Sequence, residues 1–356
     1  MQQLLLKSLE AEVLAPAFSD DIAHRLAQTV LSPMAGISVY PRSISAADHR
    51  LYFLGRRENE KYVGIITKNE RSGPALISFN PVQVSNTALQ MAVIPADAKA
   101  SDFLKTALPF LRPRIVGKDP SIGCGDRLGL ATPGHVCALV KTQLGAVLCQ
   151  QSVRENSRTG RSPRQVLDDA MWGAWQEGWR KGYGADADHL KTASQIDTFV
   201  ESGYTFFTAD VGDHLDNKVD RADTATVEAK VAALPWDRLQ STASDLIHRL
   251  TRRPVELDGS TVDLTRADIL RAAAKHGAAV AQAYEMYQHL CHVMGQGAFE
   301  FEISIDETET ATTLAEHIYM ADELTRLGVV CASLAPRFVG TFEKGVDYIG
   351  DVNTFI

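Results

Sequence analysis

Side chains that can bind a metal or move protons are concentrated in one short segment, GADADHLK, which contains Asp186, Asp188, His189 and Lys191. Carboxylates and a neutral imidazole are ligands for divalent ions such as Mn, Zn, Ni or Co. A lysine buried near carboxylates can donate a proton or form a Schiff base. The alternative is structural, with Asp188 capping a helix and Lys191 paired with it at the surface. The segment alone leaves both interpretations open.

A second stretch with chemical potential, FEFEISIDETET, covers residues 299–310. Apolar residues alternate with Glu302, Asp306 and other polar residues, and this period of two predicts a strand with one polar face. Such a strand suits a barrel wall, whose polar inner face carries a ligand near the carboxyl end of the strand. An antiparallel strand with one face in water is the alternative.

Strands and helices alternate from residue 115 onwards, which predicts a parallel sheet in an α/β fold. The six predicted strands are SIGCG, AVLCQQS, YGADADHL, YTFFTADV, FEFEISID and VVCASLAP. Polar residues follow each strand at its carboxyl end, where barrels and open α/β sheets build their active sites. These residues are Asp126, Arg127, Gln150, Gln151, Asp186, Asp188, His189, Asp210, Glu302, Asp306, Ser333 and Arg337.

The positions of Pro, Gly and Asn between the predicted strands and helices indicate that the chain has two structural regions. Residues 1–112 are expected to form a small amino-terminal α/β region, because short β-rich runs there are interrupted by Pro, Gly and Asn. Residues 113–356 are expected to form a (β/α) domain. A helical insert at about 215–297 separates its fourth and fifth strands.

Composition excludes several classes of function. The chain has 356 residues, a net charge of -8 and a pI near 5.7, which argues against a general nucleic-acid binder. No apolar run approaches membrane length, so no membrane partner is expected. Five scattered cysteines without a CxxC pair predict free thiols in a reducing cytoplasm. The glycines of SIGCGDRLG are spaced as GxGxxxG, which is a weak signal for a dinucleotide site.

Five motifs together resemble the tagaturonate epimerase family over residues 120–356. They are GDRLGLATPGH, QQSVRENSRTGRSP, GADADHLKT, ISIDETET and SLAPRFVGTFEKGVDYIGD. The resemblance implies a TIM-barrel-like fold, dependence on a divalent metal, and interconversion of D-tagaturonate and D-fructuronate in hexuronate catabolism. The expected partner is a small keto-sugar acid, and association into a homo-oligomer is left open.

The chemistry implied by this resemblance inverts a carbinol that lies β to a ketone, which favours retro-aldol cleavage and re-addition over simple enolisation. The candidate metal ligands are Asp188, His189 and Glu302. The candidate acid/base residues are Lys191, Asp210 and Asp306. The candidates for binding the hydroxyls and the carboxylate of the substrate are Arg127, Gln151, Arg154, Ser333 and Arg337.

A closed barrel of this type has eight strands, whereas this sequence supplies about six. The sequence therefore predicts an incomplete barrel, truncated at the carboxyl terminus and lacking its last units. Two alternative functions follow. One is a metal-dependent aldolase, isomerase or epimerase acting on another keto-sugar such as tagatose or fructose, and the other is an inactive sugar-binding fragment.

Overall fold

The computed structural model describes residues 1–68, 78–252, 254–257, 259–306, 308–343 and 346–355. The chain divides into two compact units. The first contains Met1–Asp186 and Ser202–Tyr204, and the second contains Ala187–Glu201 and Thr205–Ile356. These limits differ from the boundary at residue 112 expected from sequence, and that domain assignment stays a prediction.

An antiparallel sheet forms the amino-terminal part of the first unit. Its strands are β1 (Ser38–Val39), β2 (Ser45–Ala47), β3 (Arg50–Arg57), β4 (Glu60–Thr67), β5 (Asn80–Val84) and β6 (Thr87–Pro95). The strand order is β1-β3-β4-β6-β5, and β2 pairs with β3. The helical segments around the sheet are α1 (Gln2–Ser8), α2 (Asp20–Leu26), a π-helical turn (Ala27–Leu31), α3 (Ser32–Ala35) and α4 (Ala98–Ala107). Leu51, Phe53 and Ile66 of the sheet share one apolar core with Leu5 and Leu26.

Buried polar contacts tie this sheet and α4 to a later helix of the same unit. Trp175 Nε1 donates a hydrogen bond to Ser45 Oγ at 3.3 Å. Lys105 Nζ lies 3.0 Å from Asp168 Oδ1, and both side chains are largely buried. These contacts between segments far apart in sequence explain why the first unit extends beyond residue 112.

The predicted parallel strands are present in both units. The first unit contains β7 (Ser121–Gly123), β8 (Gly145–Ser152) and the start of β9 (Gly184–Leu190), and the second contains the end of β9 with β10 (Phe206–Asp210), β13 (Glu300–Ser304) and β14 (Ser333–Ala335). β7 pairs in parallel with β8, β10 with β13, and β13 with β14. All six predicted strands and the α/β class are confirmed.

Helices follow these strands where the sequence predicts them. They are α5 (Thr132–Leu139), α6 (Val153–Thr159), α7 (Pro163–Gln176), α8 (Ala193–Ser202) and α13 (Leu314–Arg326). Capping boxes begin three of them, because a Ser or Thr side chain and a Glu or Gln three residues later satisfy each other's free backbone N–H groups. The pairs are Ser152 with Glu155, Ser162 with Gln165, and Thr313 with Glu316.

The helical insert lies in the second unit between β10 and β13. Its elements are 3₁₀ turns at Gly212–His214 and Asn217–Arg221, helices α9 (Thr224–Ala232), α10 (Trp236–Leu239) and α11 (Ala243–Thr251), a hairpin of β11 (Val255–Leu257) and β12 (Ser260–Val262), and α12 (Arg266–Met294). Helix α12 is its centre and packs against α9, α11 and α13. A short helix, α14 (Val352–Phe355), comes last. No helix among the described residues combines the length and the apolar character needed to cross a membrane.

Candidate functional site

The carboxyl ends of β9 and β10 bring four predicted residues of the second unit together. His189 Nε2 lies 3.6 Å from Asp188 Oδ1, and His189 Nδ1 lies 3.7 Å from Asp210 Oδ2. Lys191 Nζ is 3.8 Å from the same Asp210 oxygen and 2.8 Å from Asp213 Oδ2. The result is a cluster of alternating positive and negative groups, half-buried at the end of the sheet.

His189 has a left-handed backbone conformation, which is uncommon for residues other than glycine, although histidine adopts it more often than most. Its φ is 54°, in the left-handed region, although the residue belongs to strand β9. A non-glycine residue held there costs roughly 1–3 kcal/mol, and such strain is found preferentially at functional sites. We interpret the strain as the cost of directing the imidazole towards Asp188 and Asp210.

The charges of this cluster are coupled. The interaction with Asp210 and the charges of Asp188 and Asp306 raise the pKa of His189 to about 9, against the effect of burial. Burial alone would raise the pKa of Asp210, but His189, the Gly212 N–H at 3.0 Å and Lys191 hold it below its usual value. At neutral pH the cluster therefore holds a cationic imidazole beside the ionised carboxylate of Asp210.

Glu302 lies in a row of polar side chains that crosses three neighbouring strands. The strand register places Thr208, Glu302 and Ser333 side by side. Thr208 Oγ1 donates a hydrogen bond to Glu302 Oε1 at 3.4 Å, and Ser333 Oγ donates to Glu302 Oε2. Two residues further on, Ser304 Oγ donates to Asp306 Oδ1 at 2.6 Å. The polar face predicted for the FEFEISID strand is therefore present.

A cavity of about 490 Å³ opens beside this face. Asp306 and Arg337 line it together with Phe338, Phe342 and Phe355. Apolar walls with a few charged groups are typical of sites for small ligands, and a volume of this size accommodates a hexose derivative. Of the predicted site residues, Asp306 and Arg337 therefore line the same open cavity.

The other three predicted substrate-binding residues belong to the first unit. Arg127 is 58% exposed and forms an ion pair with Glu155. Gln151 is fully buried, and its Oε1 accepts a hydrogen bond from Arg161 Nη1 at 3.3 Å. Arg154 is exposed on α6. Their role in binding a substrate stays a prediction.

Asp126, another polar residue at a strand end, has a structural role. Its carboxylate accepts five backbone hydrogen bonds, at 2.7–3.2 Å, from Leu128, Gly129, Leu130, Ala131 and Thr132. These bonds close the loop that leads into α5. Burial alone would raise the pKa of Asp126, but the N–H groups lower it below its usual value.

The predicted metal ligands are not assembled in this structure. The described residues contain no group of three His, Cys, Asp or Glu side chains placed to hold a metal ion. Glu302 is occupied by Thr208 and Ser333. Coordination by Asp188, His189 and Glu302 would require these side chains to rearrange, and the metal site stays a prediction.

Sequence reasoning missed two residues that hold the candidates in place. Asp213 binds the Lys191 ammonium, and Ser304 donates to Asp306. A signal was available, because Asp213 follows the end of β10 by three residues and Ser304 is the last residue of β13.

Comparison with known proteins decides the family. A family model described as tagaturonate epimerase matches residues 40–356. The chain is 35% identical, over 320 residues, to the tagaturonate/fructuronate epimerase of Thermotoga maritima. This chain belongs to the tagaturonate epimerase family. The resemblance read from its five motifs is therefore confirmed.

Solved structures of another family member have the same fold. The glycerol-complexed crystal structures of the fructuronate-tagaturonate epimerase from Cohnella laeviribosi match with a TM-score of 0.79 and 32% identity. The native crystal structure of that protein matches with a TM-score of 0.77 and 30% identity. The match covers 92% of this chain and 65% of the Cohnella chain. The match to the Thermotoga protein likewise covers 90% of this chain and 64% of the relative.

Proposed function

We propose that this chain interconverts D-tagaturonate and D-fructuronate as an epimerase of hexuronate catabolism in the cytoplasm. The observation that carries the proposal is the family match over residues 40–356, which includes every candidate site residue. The charged cluster of Asp188, His189, Lys191 and Asp210 supplies the acid and base groups that the reaction needs.

The reaction that we propose is a retro-aldol cleavage followed by re-addition. A base removes the proton of the carbinol hydroxyl, the neighbouring carbon–carbon bond breaks, and its electrons pass to the ketone oxygen. The products are an enediolate and an aldehyde. Rotation of the aldehyde presents its other face, the bond forms again, and the proton returns to the inverted hydroxyl. No oxidant or reductant is needed, since the two sugars are isomers.

The residues of the second unit can take these roles. Asp210 is ionised and is our candidate for the base, with Oδ2 between two cationic side chains. The positive charge of Lys191, and that of His189 when it binds no metal, can stabilise the enediolate as it forms. Asp306 is our second acid/base candidate, at the cavity, and Arg337 is our candidate for the substrate carboxylate because a guanidinium binds carboxylates through paired hydrogen bonds.

Dependence on a divalent metal (Mn, Zn, Ni or Co) and a TIM-barrel-like arrangement of the strands belong to the same proposal. A bound metal would act as a Lewis acid towards the carbonyl and enediolate oxygens. The steps above do not pass through a metal, because the predicted ligands are not assembled in this structure.

The test is proton NMR of tagaturonate incubated with the purified chain, first stripped of metal and then supplied with each of the four ions. The Thermotoga relative serves as the positive control. We expect fructuronate to appear in the presence of a metal. No conversion beside an active relative would refute the activity of this chain, and release of a free aldehyde would favour the aldolase alternative.

A pair of histidine variants tests the site. Replacing His189 with Ala should lower turnover at least 100-fold, the size of effect expected for a group that stabilises charge in the transition state. His289→Ala is the matched control, because His289 lies on α12 and pairs with Asp197 at 2.6 Å. Full activity in His189→Ala would show that His189 takes no part in the reaction.

A further inference from the structure

Helix α12 carries a lysine that is almost completely buried. Lys275 is 1% exposed, and its Nζ lies 3.1 Å from Asp220, 3.0 Å from Thr310 Oγ1 and 2.9 Å from Glu316 Oε1. An ammonium group has three hydrogens to donate, so these partners satisfy it completely. Burying a charge is costly unless it is paired in this way, and fully buried lysines are rare. The position therefore calls for a physical explanation.

One partner of Lys275 belongs to the segment that follows strand β13. We name residues 308–312 the Thr310 loop. Thr310 Oγ1 accepts from Lys275 Nζ and donates to Asp220 Oδ2 at 2.7 Å. Thr308 Oγ1 closes the loop internally by donating to the Thr310 carbonyl at 2.7 Å. The loop is thus fixed on one side to α12 and to the 3₁₀ turn that carries Asp220.

On its other side, the Thr310 loop is bonded to the segment after β14. The Thr312 N–H donates to the Arg337 carbonyl at 2.9 Å, and the Arg337 N–H donates to Thr312 Oγ1 at 3.1 Å. Arg337 and Asp306, which precedes the loop by two residues, both line the cavity of about 490 Å³. A displacement of the loop would therefore move two candidate site residues together.

The Glu316 carboxylate of this cluster stays ionised at neutral pH. Burial would raise the pKa of Glu316, but His276, the Thr313 N–H and Lys275 lower it to about 2. A buried ionic network seldom adds stability beyond that of an apolar core of the same shape, and its attested use is to select one conformation. Here the buried network around Lys275 would select one conformation of the Thr310 loop.

We propose that Lys275 is a positioning residue: through Thr310, it holds the Thr310 loop so that Asp306 and Arg337 face the cavity. The catalytic consequence rests on the proposed epimerase function, whereas the effect on the loop does not.

Variants of Thr310 test the proposal without changing any charge. Thr310→Val removes the hydroxyl and keeps the size, and Thr310→Ser keeps the hydroxyl. We expect Thr310→Val to raise the KM for tagaturonate roughly tenfold, the size of effect expected for a lost hydrogen bond to a charged group. Thr310→Ser should stay within about twofold of the original chain, because its hydroxyl preserves that bond.

The matched control disrupts a second buried ionic cluster of the same unit. Glu323 is 1% exposed and forms ion pairs with Arg249 and with Arg326, the latter at 2.7 Å. Glu323→Gln should lower thermal stability without changing the KM. An equal rise of KM in Glu323→Gln and Thr310→Val would reduce the Lys275 cluster to a stabilising role and overturn the proposal.

Hydrogen exchange gives a readout that does not depend on turnover. We expect the Thr312 and Arg337 amides to exchange faster in Thr310→Val, with no change in Thr310→Ser or Glu323→Gln. Unchanged exchange in Thr310→Val would overturn the proposal even if the chain is active. If the chain does not convert tagaturonate, the epimerase proposal fails, and the exchange of these two amides alone decides whether the Lys275 cluster positions the loop through the Thr310 hydroxyl.

Discussion

Asp126 lies three residues after parallel strand β7 and Asp210 is the last residue of parallel strand β10, and their surroundings differ completely. The carboxylate of Asp126, in the first unit, accepts five backbone N–H groups and the Thr132 hydroxyl at 3.3 Å. The carboxylate of Asp210, in the second unit, accepts one backbone N–H, from Gly212. Its other oxygen faces His189 and Lys191 at 3.7 and 3.8 Å, beyond hydrogen-bond distance.

The difference shows what distinguishes a structural carboxylate from the carboxylate that we propose as the base. Asp126 has no capacity left for another partner, because its lone pairs are used by the loop. Asp210 is buried and charged. Its contacts with His189 and Lys191 can shorten only when a bound molecule enters the site or these side chains move. Both residues lie near the carboxyl end of a strand. They differ in how many hydrogen bonds the carboxylate already accepts from the protein.

The sharpest test of this contrast is Asp210→Asn. We expect turnover to fall about 10²–10⁴-fold, the usual contribution of a positioned acid or base. The free energy of unfolding should change by less than about 1 kcal/mol, because its partners His189 and Lys191 are partly exposed. Single-turnover kinetics and urea denaturation measure both quantities. A large loss of stability with normal turnover would reverse the roles given to the two aspartates.

Asp126→Asn should have the opposite effect. The amide nitrogen would face N–H groups that need an acceptor, and we expect the free energy of unfolding to fall by roughly 2–4 kcal/mol. Since folding lowers the pKa of Asp126, the stability that it contributes is present above the ordinary value of 3.8 and is lost as the pH falls through the folded value. The original chain and the variant should therefore converge in acid, and a difference that persists there would contradict this account.

The smallest effect is expected at Arg127, next to Asp126. Its ion pair with Glu155 is at the surface, so Arg127→Ala should change the free energy of unfolding by less than about 1 kcal/mol. The predicted role in substrate binding adds a second expectation, a KM raised about tenfold at unchanged kcat, as for loss of binding shared by ground and transition states. A KM equal to that of the original chain would leave Arg127 as a surface residue.

Local patterns in the sequence were enough to predict most elements of the second half of the chain. The alternation of Phe301 and Ile303 with Glu302 identifies strand β13, and the Thr313–Glu316 capping box identifies the start of α13. The clustering of Asp188, His189 and Lys191 was also predictable, because these residues are neighbours along the chain at the end of one strand. Family membership came from motifs that are long and uncommon.

Contacts between distant segments were not predictable. Nothing local shows that Trp175 donates to Ser45, or that Lys275 turns its ammonium towards Thr310, since each contact depends on the packing of elements far apart in sequence. The saturation of Asp126 was hidden for a different reason. It comes from backbone N–H groups, which every residue other than proline has and which therefore leave no trace in residue types.

The left-handed backbone of His189 would set the stability of the chain against the proposed catalytic role of this residue. Glycine and asparagine adopt a φ of 54° more readily than histidine, so either would relieve strain there. Random libraries selected only for heat resistance would therefore enrich substitutions that remove the imidazole. Under the proposed role of His189, a more durable variant of this chain keeps position 189 fixed while the rest of the chain is varied.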